Sequence, residues 1–139
     1  MTSILKGGDG KAENKVKKIL VMDDNVSLLK LLKRLLEQLD FEVELAKEGA
    51  EAISVYKEEM KKGNGFDLIL VDLIINEGIG GIETIEVIRK FDPNVKAIVI
   101  SGELPEEIKE DHTKYGFDSY LEKPFKFEIL QSAIEKVLV

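Results

Sequence analysis

The chain has no cysteine and only one histidine, His112. Without cysteine there is no disulfide, no thiol catalysis and no cysteine-ligated zinc site. A single histidine also excludes a histidine-rich metal centre. Any metal that this chain binds must therefore be a hard cation held by oxygen ligands.

Long apolar runs are also missing from the sequence. No window approaches the ~18 apolar residues that a membrane-spanning helix needs, and the start, Met1 to Leu5, lacks the apolar stretch of a secretory signal. We expect a cytoplasmic protein that does not insert into membranes.

Negative charge outweighs positive charge beyond the first residues. The net charge is −7, and residues 1–18 carry five Lys against Asp9 and Glu13, so residues 19–139 carry −10. A body this acidic lacks the positive surface with which proteins bind phosphate backbones, so direct nucleic-acid binding is not expected. Carboxylates clustered around a cation fit this charge better.

The 139 residues suit one domain, and 44% apolar with 34% charged residues is an ordinary balance for a packed core. Residues 1–17 mix Gly, Asn and Lys without periodicity, which predicts a flexible N-terminal tail. The folded domain is expected over 18–139.

Strand-like and helix-like patterns alternate from residue 18 onward, which is typical of an α/β fold with a parallel sheet. Continuous apolar runs predict strands that helices cover on both faces, whereas alternating or short runs predict strands at the sheet margins. The interior runs are 19–22, 68–71 and 97–100, and the marginal runs are 41–45 and 119–121.

Apolar residues at helical spacing predict five helices between and after these strands. The fourth and weakest is expected as one helix from about Pro105 to Tyr115, stopped by Gly116. On that polar helix, His112 is expected to be a solvated surface residue without a function. The other four helices carry their apolar residues over 28–39, 52–60, 82–88 and 127–137.

A strand order of 2-1-3-4-5 places the two marginal strands at the edges, as in flavodoxin-like doubly wound sheets. We therefore predict a flavodoxin-like (βα)5 fold with a five-stranded parallel sheet. In such sheets, ligands bind beyond the carboxyl ends of the strands, at the switch point between strands 1 and 3.

Polar residues follow four of the predicted strands. Carboxylates held close together raise one another's pKa unless a cation neutralises them, and oxygen-only ligands favour Mg²⁺. A carboxylate, Mg²⁺, a hydroxyl and an ammonium group around one pocket suit phosphoryl transfer, with one carboxylate as the nucleophile. These residues are Asp23 and Asp24 after strand 1, Asp72 after strand 3, Ser101 after strand 4 and Lys123 after strand 5.

Four short motifs stand in order along the chain: ILVMDD at 19–24, LILVD at 68–72, IVISG at 98–102 and YLEKPF at 120–125. Each is weak alone. Together they make residues 18–139 resemble the receiver domains of response regulators in two-component signalling, those of chemotaxis regulators among them.

The resemblance implies an aspartyl-phosphate site that depends on a metal. Asp72 would be the phosphoacceptor. Mg²⁺, with Mn²⁺ as a possible substitute, would be held by Asp24 directly, by Asp23 mainly through water, by Asp72, and by the main-chain carbonyl of Ile74.

The resemblance also implies a phosphoryl-sensing switch. Ser101 and Lys123 would contact phosphoryl oxygens, Tyr120 would be the rotating aromatic, and the Lys123–Pro124 bond would be cis. The donor would be a sensor histidine kinase or a histidine phosphotransfer protein. The face made by helix 4, strand 5 and helix 5 would then relay phosphate or bind a downstream target, which the sequence does not identify.

The loop after Asp72 departs from the family pattern. It lacks a Met-Pro pair, and aligning Gly81 with the family glycine requires one extra residue, a variation associated with receivers of hybrid sensor kinases. Ile74 offers no polar group to orient an attacking water, so slow self-dephosphorylation is expected.

Other interpretations remain open at this point. Asp24 or Asn25 fits a helix N-cap, and Tyr120 fits plain edge-strand packing. As a whole, the chain could be a pseudo-receiver that docks to a partner without being phosphorylated. A Mg²⁺-dependent phosphohydrolase of the haloacid-dehalogenase type would want Asp-x-Asp after strand 1 and a cap, and neither is visible, so a turnover enzyme is not expected.

Overall fold

The computed structural model describes residues 16–139, so the predicted tail lies outside the described residues except for Val16 and Lys17. Strands and helices alternate over this range. The strands are β1 (Lys18–Met22), β2 (Glu42–Ala46), β3 (Leu68–Asp72), β4 (Ala97–Ser101) and β5 (Ser119–Glu122). The helices are α1 (Val26–Gln38), α2 (Gly49–Lys61), α3 (Gly81–Phe91), α4 (Glu106–Glu110) and α5 (Phe127–Leu138), with a 3₁₀ helix at His112–Tyr115.

The five strands form one parallel sheet in the order β2-β1-β3-β4-β5, which confirms the predicted flavodoxin-like fold. Every residue of β1, β3 and β4 is buried, as their continuous apolar runs predict. β2 and β5 lie at the edges and carry partly exposed residues.

Side chains alternate between two apolar cores, one on each face of the sheet. In β1, for example, Ile19 and Val21 face one core while Leu20 and Met22 face the other. α1 and α5 cover the first face, with Leu29, Leu32, Leu36, Leu130 and Ile134 buried against it. α2, α3 and α4 cover the second, with Ala52, Tyr56, Ile85, Ile88 and Ile108 buried against it.

The first helix begins with a side-chain cap. Asn25 has an extended backbone, and its side-chain oxygen accepts a hydrogen bond from the Leu28 amide at 3.1 Å. This satisfies one of the free amides at the helix start. Of the two residues considered for this role, Asn25 is the one that caps the helix. No helix within residues 16–139 combines the length and apolar character that a membrane crossing requires.

The fourth helix is shorter than predicted. α4 ends at Glu110 because Asp111 leaves the helical region, with φ −150° and ψ 77°. The Asp111 carboxylate accepts hydrogen bonds from the Thr113 hydroxyl at 2.7 Å and the Lys114 amide at 3.3 Å, which starts the separate 3₁₀ helix. Short polar side chains compete in this way with the backbone bonds of a helix. The prediction of one continuous helix is therefore wrong.

The same break changes the environment of His112. Its side chain is half-buried, its Nδ1 atom is buried, and its ring centroid lies 5.5 Å from that of Tyr120. The expectation of a solvated surface histidine is wrong. The 3₁₀ turn places this side chain against Tyr120 of β5.

The two-core arrangement predicts very different costs for two leucines of α1. Leu36 is fully buried, whereas Leu31 is 42% exposed. We expect Leu36→Ala to lower the free energy of unfolding by roughly 2–5 kcal/mol because it leaves a cavity. Leu31→Ala, the control with the same change in helix propensity, should cost less than about 1 kcal/mol. Urea denaturation measures both, and equal losses would contradict the burial of Leu36.

Candidate functional site

Three carboxylates meet at the carboxyl end of the sheet. The parallel pairing of β1 with β3 sets Met22 beside Val71, so the next residues, Asp23 and Asp72, lie side by side. One oxygen from each of Asp23, Asp24 and Asp72 lies within 4.8 Å of the others. Asp23 is 3% and Asp72 7% exposed, while Asp24 is half-buried at the rim.

Lys123 joins this cluster from the loop after β5. Its ammonium group donates to Asp23 Oδ2 at 2.8 Å and to Asp72 Oδ2 at 3.4 Å. The Lys123–Pro124 bond is cis, as predicted. Burial alone lowers the pKa of Lys123, but hydrogen bonds and charge from Asp23 and then Asp72 outweigh it and raise the pKa. Lys123 therefore stays charged at neutral pH.

Asp72 is electrostatically strained by its position. Burial raises the pKa of Asp72, and the nearby charge of Asp23 raises it further. Lys123 and the Ile74 amide lower the pKa but offset only part of this rise. A single ammonium group does not balance three carboxylates. The residues present thus fit a hard divalent cation, which takes oxygen ligands and would relieve this repulsion.

A shallow cleft of about 540 Å³ opens beside the carboxylates. Ser101 is buried at the end of β4 and lines the cleft. Its hydroxyl contacts the main chain of Glu103 at 3.5 Å. The hydroxyl is thus weakly held and can turn toward a ligand. The full lining is Asp24, Asp72, Ile74, Asn76, Ser101, Gly102 and Glu103.

The loop between β3 and α3 forms one wall of this cleft. Ile74 is 61% exposed and Ile75 is buried, so the chain turns one side chain out and the next into the core. The main-chain amide of Asn76 donates to Asp24 Oδ2 at 3.0 Å, which connects the loop to the carboxylate cluster. The base of the loop closes through the Gly81 amide and the Leu73 carbonyl at 3.1 Å.

Glycine is required where this loop enters α3. A Cβ added to Gly80 would lie 2.4 Å from the Leu73 carbonyl oxygen, and one added to Gly81 would lie 2.8 Å from the Asp72 carbonyl oxygen. Such approaches are too close for any side chain. The two glycines therefore let the helix start directly against the strand that carries Asp72.

Tyr120 lies away from the carboxylates. It pairs with Val99 across the sheet, and Ser101 stands two residues further along β4, so Tyr120 and Ser101 project toward the same face. The Tyr120 ring is half-buried against the core on that face and against His112. The structure thus brings six of the seven predicted site residues to the cleft or cluster and leaves Tyr120 on the adjoining face.

Sequence reasoning missed the contacts that attach α4 to β5. Glu122 accepts a hydrogen bond from the Leu104 amide at 3.3 Å and forms an ion pair with Lys109 at 3.2 Å. The Leu104 amide, followed by Lys109, lowers the pKa of Glu122. The alternation of Glu122 with the buried Leu121 signals an outward-facing residue, but nothing in the sequence indicates its partners.

Comparison with known proteins gives a consistent result. The family model for the response regulator receiver domain matches residues 19–135. The chemotaxis protein CheY of Halobacterium salinarum is 32% identical over 123 residues, covering 88% of this chain and 97% of that protein. The transcriptional regulatory protein ZraR of Escherichia coli is 32% identical over 120 residues, covering 86% of this chain. The chain spans only 26% of the length of ZraR.

Solved structures agree with the sequence relatives. The response regulator protein TrrA of Thermotoga maritima, in complex with Mg²⁺ and BeF, superposes with a TM-score of 0.72 at 30% identity. The match covers 88% of this chain and 100% of that chain. The relative's complex thus contains the cation class that the carboxylate cluster of this chain fits.

The strain on Asp72 predicts that neutralising it stabilises the metal-free protein. Because the folded-state pKa is raised, the native state binds protons more readily than the unfolded state, so stability falls as pH rises through that pKa. We expect Asp72→Asn to raise the free energy of unfolding by about 1 kcal/mol at pH 7, with the gain shrinking as pH falls through the raised pKa. Urea titrations from pH 3 to about 7 test the slope.

The exposed Glu77, in the loop after Asp72, supplies the control. Glu77→Gln removes the same charge without relieving the cluster, so it should leave stability nearly unchanged. Adding Mg²⁺ should stabilise the wild type more than Asp72→Asn, since the substitution removes one of the three carboxylates that fit the ion. A destabilised Asp72→Asn protein at pH 7 would contradict the assigned repulsion.

Proposed function

The chain belongs to the response regulator receiver domain family, and on that premise we propose that Asp72 accepts a phosphoryl group in a Mg²⁺-dependent reaction. The phosphorylated domain then alters its α4–β5–α5 surface to signal to a partner or to relay the phosphate. The observation that carries this proposal is the joint placement of Asp23, Asp24, Asp72 and Lys123 at one end of the sheet. We place this signalling in the cytoplasm.

The three carboxylates have different proposed roles in binding the metal. Asp24, at the open rim, would ligate the metal directly, Asp23 would act mainly through water, and Asp72 and the main-chain carbonyl of Ile74 would complete the protein ligands. Mg²⁺, or Mn²⁺ in its place, would neutralise charge at the phosphoryl oxygens. The Asn76 amide already bonds to Asp24 and so limits the directions in which that carboxylate points.

The transfer itself needs little from the protein beyond position and charge. A carboxylate oxygen of Asp72 forms a bond to phosphorus, and the bond from phosphorus to the donor breaks with its electron pair on the departing group. Lys123, already 3.4 Å from Asp72 Oδ2, moves its bond to a phosphoryl oxygen. For a histidine kinase or histidine phosphotransfer protein, the departing group is an imidazole.

The signal follows from how Ser101 and Tyr120 share one face of the sheet. When the weakly held Ser101 hydroxyl bonds to a phosphoryl oxygen, the Ser101 side chain moves toward Asp72 and space opens behind it for the Tyr120 ring to turn inward. The Lys109–Glu122 ion pair and the Leu104–Glu122 bond carry this movement into α4. The downstream partner reads the changed surface.

Phosphorylation by a small donor tests the proposal directly. With acetyl phosphate and Mg²⁺, we expect the intact mass to rise by one phosphoryl group. Asp72→Asn should abolish the increase because the nucleophile is gone, and a metal chelator should abolish it in the wild type. The outward-facing Glu77→Gln is the matched control and should phosphorylate normally. An unmodified wild type would favour the pseudo-receiver function, and continuous release of phosphate would favour a phosphohydrolase.

The lifetime of the phosphorylated form tests the role of Ile74. This exposed apolar side chain lines the cleft and has no group to orient water, so release of phosphate should be slow. We expect Ile74→Asn to speed release by about tenfold, equivalent to about 1.4 kcal/mol in the barrier. Ile74→Val serves as the control and should behave like the wild type. Rapid release from the wild type would refute the expectation.

A further inference from the structure

We propose that Glu48 is a positioning residue for the phosphoryl site, because it holds the loop 73–80 in the conformation that binds the metal. Glu48 lies before α2 and outside the carboxylate cluster. The inference rests on the proposed function, since it concerns how tightly that site binds Mg²⁺.

Glu48 connects two segments that both lead to the site. Its carboxylate accepts hydrogen bonds from the Ala50 amide at 2.8 Å and the Glu51 amide at 2.9 Å, which caps α2. The same carboxylate reaches the Ile79 amide at 3.4 Å. In the opposite direction, the Gly49 amide donates to the Ile79 carbonyl at 2.8 Å. Ile79 is thus held by both of its main-chain groups.

The choice of glutamate at this position supports a role beyond capping. Shorter residues, such as Asp, Asn and Ser, are the preferred N-caps. The longer side chain of Glu48 satisfies the helix amides and extends across to the loop. Gly78, with φ +130°, packs against it so closely that an added Cβ would lie 2.7 Å from Glu48 Oε1. The absence of a side chain at Gly78 therefore leaves the space that the long side chain of Glu48 occupies.

The contact with Ile79 completes the fixing of the loop. The Asn76 amide holds its tip to Asp24, the side chain of Ile75 anchors its middle in the core, and the Gly81–Leu73 bond closes its base. Without Glu48, the segment between Asn76 and Gly80 would keep only the Gly49 bond. Because Ile74 lies in the same loop, greater freedom there lowers the preorganisation of the metal ligands.

The charge of Glu48 favours these bonds. Hydrogen bonds from the Ala50 amide, and less strongly from the Glu51 and Ile79 amides, lower its pKa against the opposing effect of burial. Glu48 is therefore ionised at neutral pH, and hydrogen bonds to an ionised acceptor are stronger than those between neutral groups.

Two substitutions separate length from charge. Glu48→Asp keeps the charge and the helix cap but is too short to reach Ile79, while Glu48→Gln keeps the length and loses the charge. We expect Glu48→Asp to raise the Mg²⁺ dissociation constant by about three- to tenfold, and Glu48→Gln to raise it less. Glu58→Gln, at an exposed position further along the same helix, should leave it unchanged. Isothermal titration calorimetry measures all four proteins.

A readout in the metal-free protein supplies independent evidence. Hydrogen exchange at the Ile79 amide should be about tenfold faster in Glu48→Asp, while the midpoint of urea unfolding stays near that of the wild type. A smaller dissociation constant for Glu48→Asp than for Glu48→Gln would overturn the inference, because charge rather than reach would then matter. Unchanged Mg²⁺ binding in Glu48→Asp would overturn it as well.

The two proposals fail in different ways. If the wild type neither binds Mg²⁺ nor accepts a phosphoryl group from acetyl phosphate, the proposed function fails and this inference fails with it. If the wild type does both and Glu48→Asp behaves identically, only the positioning role of Glu48 is lost.

Discussion

The repulsion among three carboxylates at the ends of β1 and β3 is the constraint around which the site is built. Parallel pairing of the two strands forces Asp23 and Asp72 together, and burial prevents water from screening them. Lys123 is the single cation found in contact with them among residues 16–139, and it contributes one charge. The fold therefore concentrates negative charge that a divalent cation would neutralise.

A weakly held hydroxyl, that of Ser101, lies next to carboxylates on rigid strands. Asp23 and Asp72 lie at the ends of strands whose every residue is buried, so the acceptor cannot move far. The contacts of the Ser101 hydroxyl, to the main chain of Glu103, are 3.5 Å long and hold it weakly. A phosphoryl group on Asp72 would therefore draw this hydroxyl toward itself and leave the acceptor in place.

The sheet and the acid cluster were predictable because their signals are local and repeated. Continuous apolar runs identify interior strands, and the residues that follow these runs lie together at the carboxyl end of a parallel sheet. The break at Asp111 was not predictable from periodicity, since the hydrogen bonds of one short side chain favour the 3₁₀ turn over a continued helix. The contacts of Glu48 and Glu122 join residues far apart in sequence, and no local pattern reports them.

The short fourth helix bears on how such a site can signal. To move a two-state switch from 1:99 to 99:1, the phosphoryl group must favour the active state by about 5.5 kcal/mol. A long helix packed along its length would resist with many buried contacts, but α4 has five residues and buries Ile108 alone among them. Lys109 of α4 forms an ion pair with Glu122 of β5 at 3.2 Å, a partly solvated link that costs little to rearrange. A movement of α4 would therefore take up only a small part of the free energy that phosphorylation supplies to the proposed switch.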